Sequence, residues 1–127
     1  MSSVVLDSSA LLAFIHGEPG GEVVGGVIGQ AVISSVNHAE VVTKLVERTG
    51  SLDLARAALG MASVDVIDFD RLQAEQAGAL VKRTRSRGLS LGDRACLTLA
   101  AREGAPVLTA DRIWATLKLD VEVRLIR

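Results

Sequence analysis

Four acidic residues, far apart in the chain, stand at positions where they could share a task. Asp7 follows the apolar run Val4-Val5-Leu6 directly, and Asp111 lies three positions past Leu108. Glu40 lies six positions past Ser34, and Asp93 opens the most apolar helical stretch of the chain. Carboxylates brought within a few ångströms of one another repel, so such a group must take up protons or hold a cation. A hard divalent ion, Mg²⁺ or Mn²⁺, suits carboxylate and water oxygens. Bound among acids it lowers the pKa of a water, orients a phosphodiester and stabilises the leaving oxygen. Phosphodiester hydrolysis then needs no Ser, Cys or His nucleophile.

Each acid also has a plainer role available. Ser90-Leu91-Gly92-Asp93 has the form of a capping box, and Asn37-His38-Ala39-Glu40 is its relative with Asn at the cap. Asp7 and Asp111 read as N-caps, favoured by the helix dipole. What joins the four is placement. In an open α/β sheet the carboxyl ends of the strands and the helix starts beyond them share one edge, where ligands bind.

The elements that must supply that edge alternate. Strands are predicted at Val4–Leu6, Ala31–Ser34, Val64–Ile67, Pro106–Leu108 and Val121–Ile126. A helical pattern through Ala10, Leu11, Phe14 and Ile15 is stopped by Gly17 and Pro19, and a weak, glycine-bearing helix follows from Glu22 to Ile28. Asn37–Thr49 is a strong helix closed by Gly50, with further helices at Leu52–Met61, Asp70–Ser86 and Leu91–Glu103. The last of these is apolar almost all round and should be largely buried. Alternation of this kind implies a doubly wound α/β sheet of five strands, mostly parallel, in one domain spanning residues 1–127.

Composition agrees. The 127 residues are 49% hydrophobic, enough for a real core. Aromatics are confined to Phe14, Phe69 and Trp114, so aliphatic side chains must fill that core. A net charge of -1 announces no bulk affinity for nucleic acid. The single Cys96 excludes an intrachain disulfide and a cysteine zinc cluster, and as a packed thiol with no basic partner nearby it is not read as a nucleophile. No apolar run is long enough to span a bilayer, and the N-terminus lacks a signal-peptide pattern, so a cytoplasmic location is expected.

The one basic concentration is Lys82, Arg83, Arg85 and Arg87, followed by Arg94. Arg85, Arg87 and Arg94 either grip RNA phosphates beside the acidic crevice or form a solvated helix end that complements the dipole. His38, two residues from Glu40, faces another side of its helix and is not expected to share a metal with it. His16 precedes a Gly-Glu-Pro turn and reads as a surface loop residue. Trp114 is expected to anchor the last short helix, and the glycine pairs at 20–21 and 25–26 lack the Gly-Lys-Ser/Thr of a phosphate loop.

With these residues in view, four stretches resemble the ordered acidic motifs of PIN domains. They are Val4-Val5-Leu6-Asp7-Ser8-Ser9-Ala10-Leu11, Ser35-Val36-Asn37-His38-Ala39-Glu40-Val41, Leu91-Gly92-Asp93-Arg94-Ala95-Cys96-Leu97 and Val107-Leu108-Thr109-Ala110-Asp111-Arg112-Ile113-Trp114. Order, spacing and length fit over essentially the whole chain, and the last two motifs are most similar to VapC-type toxins of toxin–antitoxin pairs. The resemblance implies a three-layer α/β/α fold, Mg²⁺-dependent endoribonuclease activity leaving a 5′-phosphate and a 3′-hydroxyl, a homodimer and a small VapB-type antitoxin that blocks the site. It also implies roles: Asp7 and Asp93 as principal metal ligands, Glu40 completing the site or orienting water, Asp111 binding a second metal or positioning waters, and Ser9 and Thr109 as donors behind the acids.

Two other readings compete. A receiver-type phospho-accepting domain would share length, fold class and an acidic pocket, but needs an acid pair near the first strand and a Lys near the last. Here Asp7 stands alone and no Lys follows the fifth strand. A catalytically inactive PIN-like binding module would have little reason to keep four carboxylates, whose burial without a cation is costly.

Overall fold

The structure, a computed structural model, describes residues 4–127. Five short strands form one sheet: β1 (Val4–Leu6), β2 (Ala31–Ser34), β3 (Asp65–Ile67), β4 (Val107–Thr109) and β5 (Val123–Leu125). Their order is β3-β2-β1-β4-β5 and every pairing is parallel. The expected mostly parallel sheet is thus wholly parallel. A receiver-type domain has its first strand beside its third, in the order 2-1-3-4-5, so this topology removes that reading.

Burial follows from the order. The central β1 is apolar at every position and buried throughout, as a strand covered on both faces must be. At one edge Asp65 and Val66 of β3 are exposed. Alternate residues of the inner strands point to opposite faces. Val4, Leu6, Ala31, Ile33 and Leu108 enter one core with Leu11, Val41 and Leu45, while Val5, Val32 and Val107 enter the other with Leu97, Leu99 and Trp114. Helices α1 (Ser8–His16), α2 (Gly21–Gly25), α3 (Ser35–Thr49) and α4 (Leu52–Leu59) contribute to the first core. Helix α7 (Leu91–Glu103) packs in the second and on α5 (Arg71–Ala79). The three-layer α/β/α arrangement is therefore present. No helix among the described residues is long and apolar enough to cross a membrane.

Four details depart from expectation. Helix α3 starts at Ser35, with Ser34 as its cap, because the Ser34 hydroxyl accepts from Val36 N. Asn37 is consequently inside the helix and is not its cap. The helix expected over Asp70–Ser86 is broken into α5, α6 (Val81–Thr84) and a 3₁₀ turn at Arg85–Arg87. Leu80 O accepts from Arg83 N at 3.0 Å and from the Thr84 hydroxyl at 2.9 Å, which tightens and bends the backbone. The weak helix at Glu22–Ile28 is the five-residue α2, followed by a separate 3₁₀ turn, Ile28–Gln30. His16, expected in a surface loop, is the last residue of α1 and is half-buried.

Chain direction reverses across β1: the chain moves out to β2 and β3, then returns to β4 on the other side. The gap beyond the carboxyl ends of β1 and β4 is the topological switch point, where a crevice opens in sheets of this kind.

Candidate active site

Asp7 and Asp111 flank that gap. Asp7 leaves β1 and caps α1, its Oδ1 accepting from Ala10 N at 2.9 Å and from the Ser9 hydroxyl at 2.7 Å. Its Oδ2 accepts from the Thr109 hydroxyl at 2.5 Å. The two hydroxyls tie the neighbouring strand end to the acid: Ser9 Oγ accepts from Ala110 N at 2.9 Å and Thr109 Oγ1 accepts from Asp111 N at 3.0 Å. Asp111, exposed, caps the 3₁₀ turn Arg112–Thr116 through Ile113 N. The hydroxyls of both Ser9 and Thr109 thus donate to Asp7.

Across the crevice the other two acids come from α3 and α7. Ser90 and Asp93 form the expected capping box: Asp93 Oδ2 accepts from Ser90 N at 2.9 Å and Ser90 Oγ accepts from Asp93 N at 3.2 Å. Glu40 is not a capping residue, because α3 begins earlier. Its Oε1 accepts from the Ser8 hydroxyl and from Asn37 Nδ2. Asn37 Nδ2 also donates to Gly92 O at 2.9 Å, which ties the start of α7 to α3. A Cβ on Gly92 would lie 2.7 Å from Glu40 Cδ, so a side chain here would displace the Glu40 carboxylate from its present position or move the start of α7.

All four acids line one cavity of about 360 Å³, together with Ser8, Ser9, Leu12, Thr43 and Lys44. Burial pushes the Asp7 carboxyl up to about 6, against the lowering effect of its hydrogen bonds, with the Asp93 charge adding to the rise. Asp93 is raised in the same direction, first by burial and then by the charges of Glu40 and Asp111. Asp7 and Asp93 thus hold their protons more tightly than free carboxyls, chiefly through burial and in part through neighbouring negative charge.

The donor set fits a hard divalent cation. Every donor is oxygen, and among the described residues Glu40 Oε2, Asp93 Oδ1 and Asp111 Oδ2 accept no hydrogen bond. Among the same residues no three acidic, imidazole or thiol side chains are drawn into a tight coordination sphere. Mg²⁺ does not demand one, since it keeps several waters and binds through one or two carboxylates.

Several other residues fall away from this cavity. His38 lines a separate one with Leu11, Ile33 and Arg56. Arg94 is half-buried and donates from Nη1 to Ala77 O at 2.8 Å, bracing α7 on α5, and it does not line this cavity. Arg85 and Arg87 are exposed in the turn before α7 and do not line this cavity. Cys96 is fully buried with its thiol pushed well up by burial and the nearby acids, so it stays protonated. Trp114 is fully buried and anchors the 3₁₀ turn after β4.

Sequence reasoning missed Lys44, Ser8, Asn37 and Gly92. Lys44 had a signal, for it follows Glu40 by four positions and must share its helix face. The link from Ser8 to Glu40 spans 32 residues and has no local signature.

A parallel three-layer domain with an acidic crevice at its switch point defines the class to which this molecule belongs. The PIN domain profile matches residues 4–118, and the chain belongs to that family. Solved structures agree in fold. A DNA-bound VapBC from Salmonella typhimurium superposes with a TM-score of 0.77 at 16% identity, covering 100% of both chains. A toxin–antitoxin complex from Klebsiella pneumoniae gives 0.75 at 18% identity, covering 98% of each. A Mycobacterium tuberculosis VapC toxin described as cleaving the sarcin–ricin loop gives 0.71 at 20% identity, covering 94% of this chain and 99% of that one. No curated protein matches in sequence.

Proposed function

We propose that this protein is a Mg²⁺-dependent endoribonuclease and the toxin of a toxin–antitoxin pair. The observation that carries the reading is the single cavity lined by Asp7, Glu40, Asp93 and Asp111 in a chain of the PIN family. Asp7 and Asp93 would be the principal ligands, Glu40 would complete the site or orient the attacking water, and Asp111 would hold a second ion or position waters. When bound, Mg²⁺, or Mn²⁺ in its place, supplies positive charge to the phosphodiester and acidity to a water. Ser9 and Thr109 hold the Asp7 carboxylate in one rotamer, and Asn37 and Ser8 do the same for Glu40. Water attacking phosphorus leaves a 5′-phosphate and a 3′-hydroxyl. Neighbours that are VapBC complexes support a VapB-type antitoxin as partner, and the family resemblance supports a homodimer.

The test is cleavage of labelled RNA by the purified protein in Mg²⁺ or Mn²⁺ against EDTA, with a Mn²⁺ thermal shift in parallel. Cleavage confined to the metal arms, with stabilisation by Mn²⁺, is the expected result. Cleavage that persists in EDTA overturns the metal dependence. Neither cleavage nor stabilisation at millimolar ion favours an inactive binding module.

A further inference from the structure

The acidic cavity has a basic neighbour. A second cavity of about 390 Å³ is lined by Lys44, Arg48 and Arg127, with His16 and Glu18, and it shares Ser9, Leu12 and Lys44 with the acidic one. Glu40, Lys44 and Arg48 follow one another at four-residue steps on α3, so one helix face runs from a carboxylate to two cations in rises of about 6 Å each. That step is of the order of the spacing between neighbouring phosphates on an extended single strand.

The cations here are largely uncommitted. Among the described residues Arg48 makes no hydrogen bond or ion pair, and Lys44 reaches only Glu47, at 4.0 Å with both side chains mostly exposed. Arg127 is steadied by Glu18 at 3.7 Å and by Pro19 O at 2.7 Å. His16 has a buried Nε2 with no partner among the described residues. Among the other arginines, Arg56, Arg71, Arg102 and Arg124 each pair with a carboxylate, and Arg83, Arg94 and Arg112 donate to carbonyls, while Arg85 and Arg87, also without a side-chain partner among the described residues, do not line either cavity.

We infer that this basic cavity is the subsite for the RNA backbone flanking the scissile phosphodiester, with Arg48 and Lys44 binding successive phosphates. The inference rests on the ribonuclease reading and extends it to substrate placement. A site lined by four carboxylates repels the polyanion it must cut, and a cationic wall beside it compensates on one flank of the strand. The arginine fork matches phosphate oxygens, and Lys44 stands where the two cavities meet.

The experiment measures affinity of the full chain for a fluorescent single-stranded RNA in EDTA, as a function of salt, alongside wild-type cleavage in Mn²⁺. Arg48→Gln is expected to weaken binding roughly fivefold at low salt and to reduce the log–log salt slope by about 0.7, the value of one lost phosphate contact. Lys44→Gln should act in the same direction, and the Arg48→Gln Lys44→Gln pair should lose about twice the slope. Thermal melting checks that each variant is folded. If wild type cleaves RNA while Arg48→Gln and Lys44→Gln keep its affinity and slope, the subsite is overturned and the nuclease reading stands. A slope that falls only in Arg85→Gln Arg87→Gln likewise overturns the subsite and spares the nuclease. If wild type neither binds nor cuts RNA, the nuclease reading fails and takes the subsite with it.

Discussion

The two walls of the acidic cavity are built differently. On the strand wall Asp7 is 5% exposed and both of its oxygens are occupied, by Ala10 N, Ser9 and Thr109. On the helix wall Glu40 and Asp93 are half-buried, and each has one oxygen held and one without a partner among the described residues. The strand wall gets its rigidity from the sheet, whose β1 and β4 are hydrogen-bonded neighbours. The helix wall depends on two helices meeting at Gly92. One wall therefore supplies a fixed, proton-retaining carboxyl, and the other supplies oxygens ready to accept a ligand.

The largest expected effect tests whether both walls serve the same chemistry. Asp7→Asn and Asp93→Asn, measured by RNA cleavage in Mn²⁺, should each lose more than the roughly 10–100-fold typical of removing a partner behind a ligand. A loss at only one of them would mean that one wall is structural.

The walls should also separate by pH. In the metal-free protein Asp7 retains its proton up to about pH 6, whereas the unfolded chain releases it near 3.8. The native state thus binds more protons over that interval, and stability falls as pH rises through it, by about 3 kcal/mol in all, then levels off. Urea unfolding in EDTA between pH 4 and 7 measures this, and Asp7→Asn should flatten the slope. Mn²⁺ competes with that proton, so its stabilising shift should grow across the same interval.

Thr109→Val removes the Asp7 hydrogen bond at near-constant volume and leaves Asp111 N without its acceptor. Mn²⁺ affinity or cleavage should drop roughly 10–100-fold, and the Asp7 carboxyl should rise further, since this bond lowers it. Gly92→Ala attacks the other wall by displacing either the Glu40 carboxylate or the start of α7. The expected cost is about 1–3 kcal/mol in urea unfolding, with cleavage impaired. Unchanged stability would mean that the Glu40 side chain can swing aside. The smallest effect is Ser90→Ala, which removes the acceptor of Asp93 N at a cost of about 1 kcal/mol, keeps the backbone bond from residue 90 to Asp93 Oδ2 and does not touch Asp7.

Much of this architecture is legible in the chain. The apolar run ending at Asp7, the strand before Asp111 and the Ser90–Asp93 box are local patterns, and the structure keeps them with small shifts at the ends. A single helix over residues 70–86 is not kept, because its apolar period continues while Thr84 and Leu80 tighten the backbone beneath it. The start of α3 moves because Ser34 and Asn37 are both good caps, and the choice falls to the sheet, which ends β2 at Ser34.

The amino-acid sequence alone determined which acids exist, which strands and helices carry them and the alternation that sends them toward one sheet edge, because each follows from contacts a few residues long. Tertiary structure alone decided that Glu40 is held by Ser8 and Asn37, that Gly92 lies against the Glu40 carboxylate and that Arg94 is a brace while Lys44 and Arg48 border the crevice. Those outcomes depend on how α1, α3 and α7 pack against one another. Residues tens of positions apart meet there, and no local pattern encodes which atoms will touch.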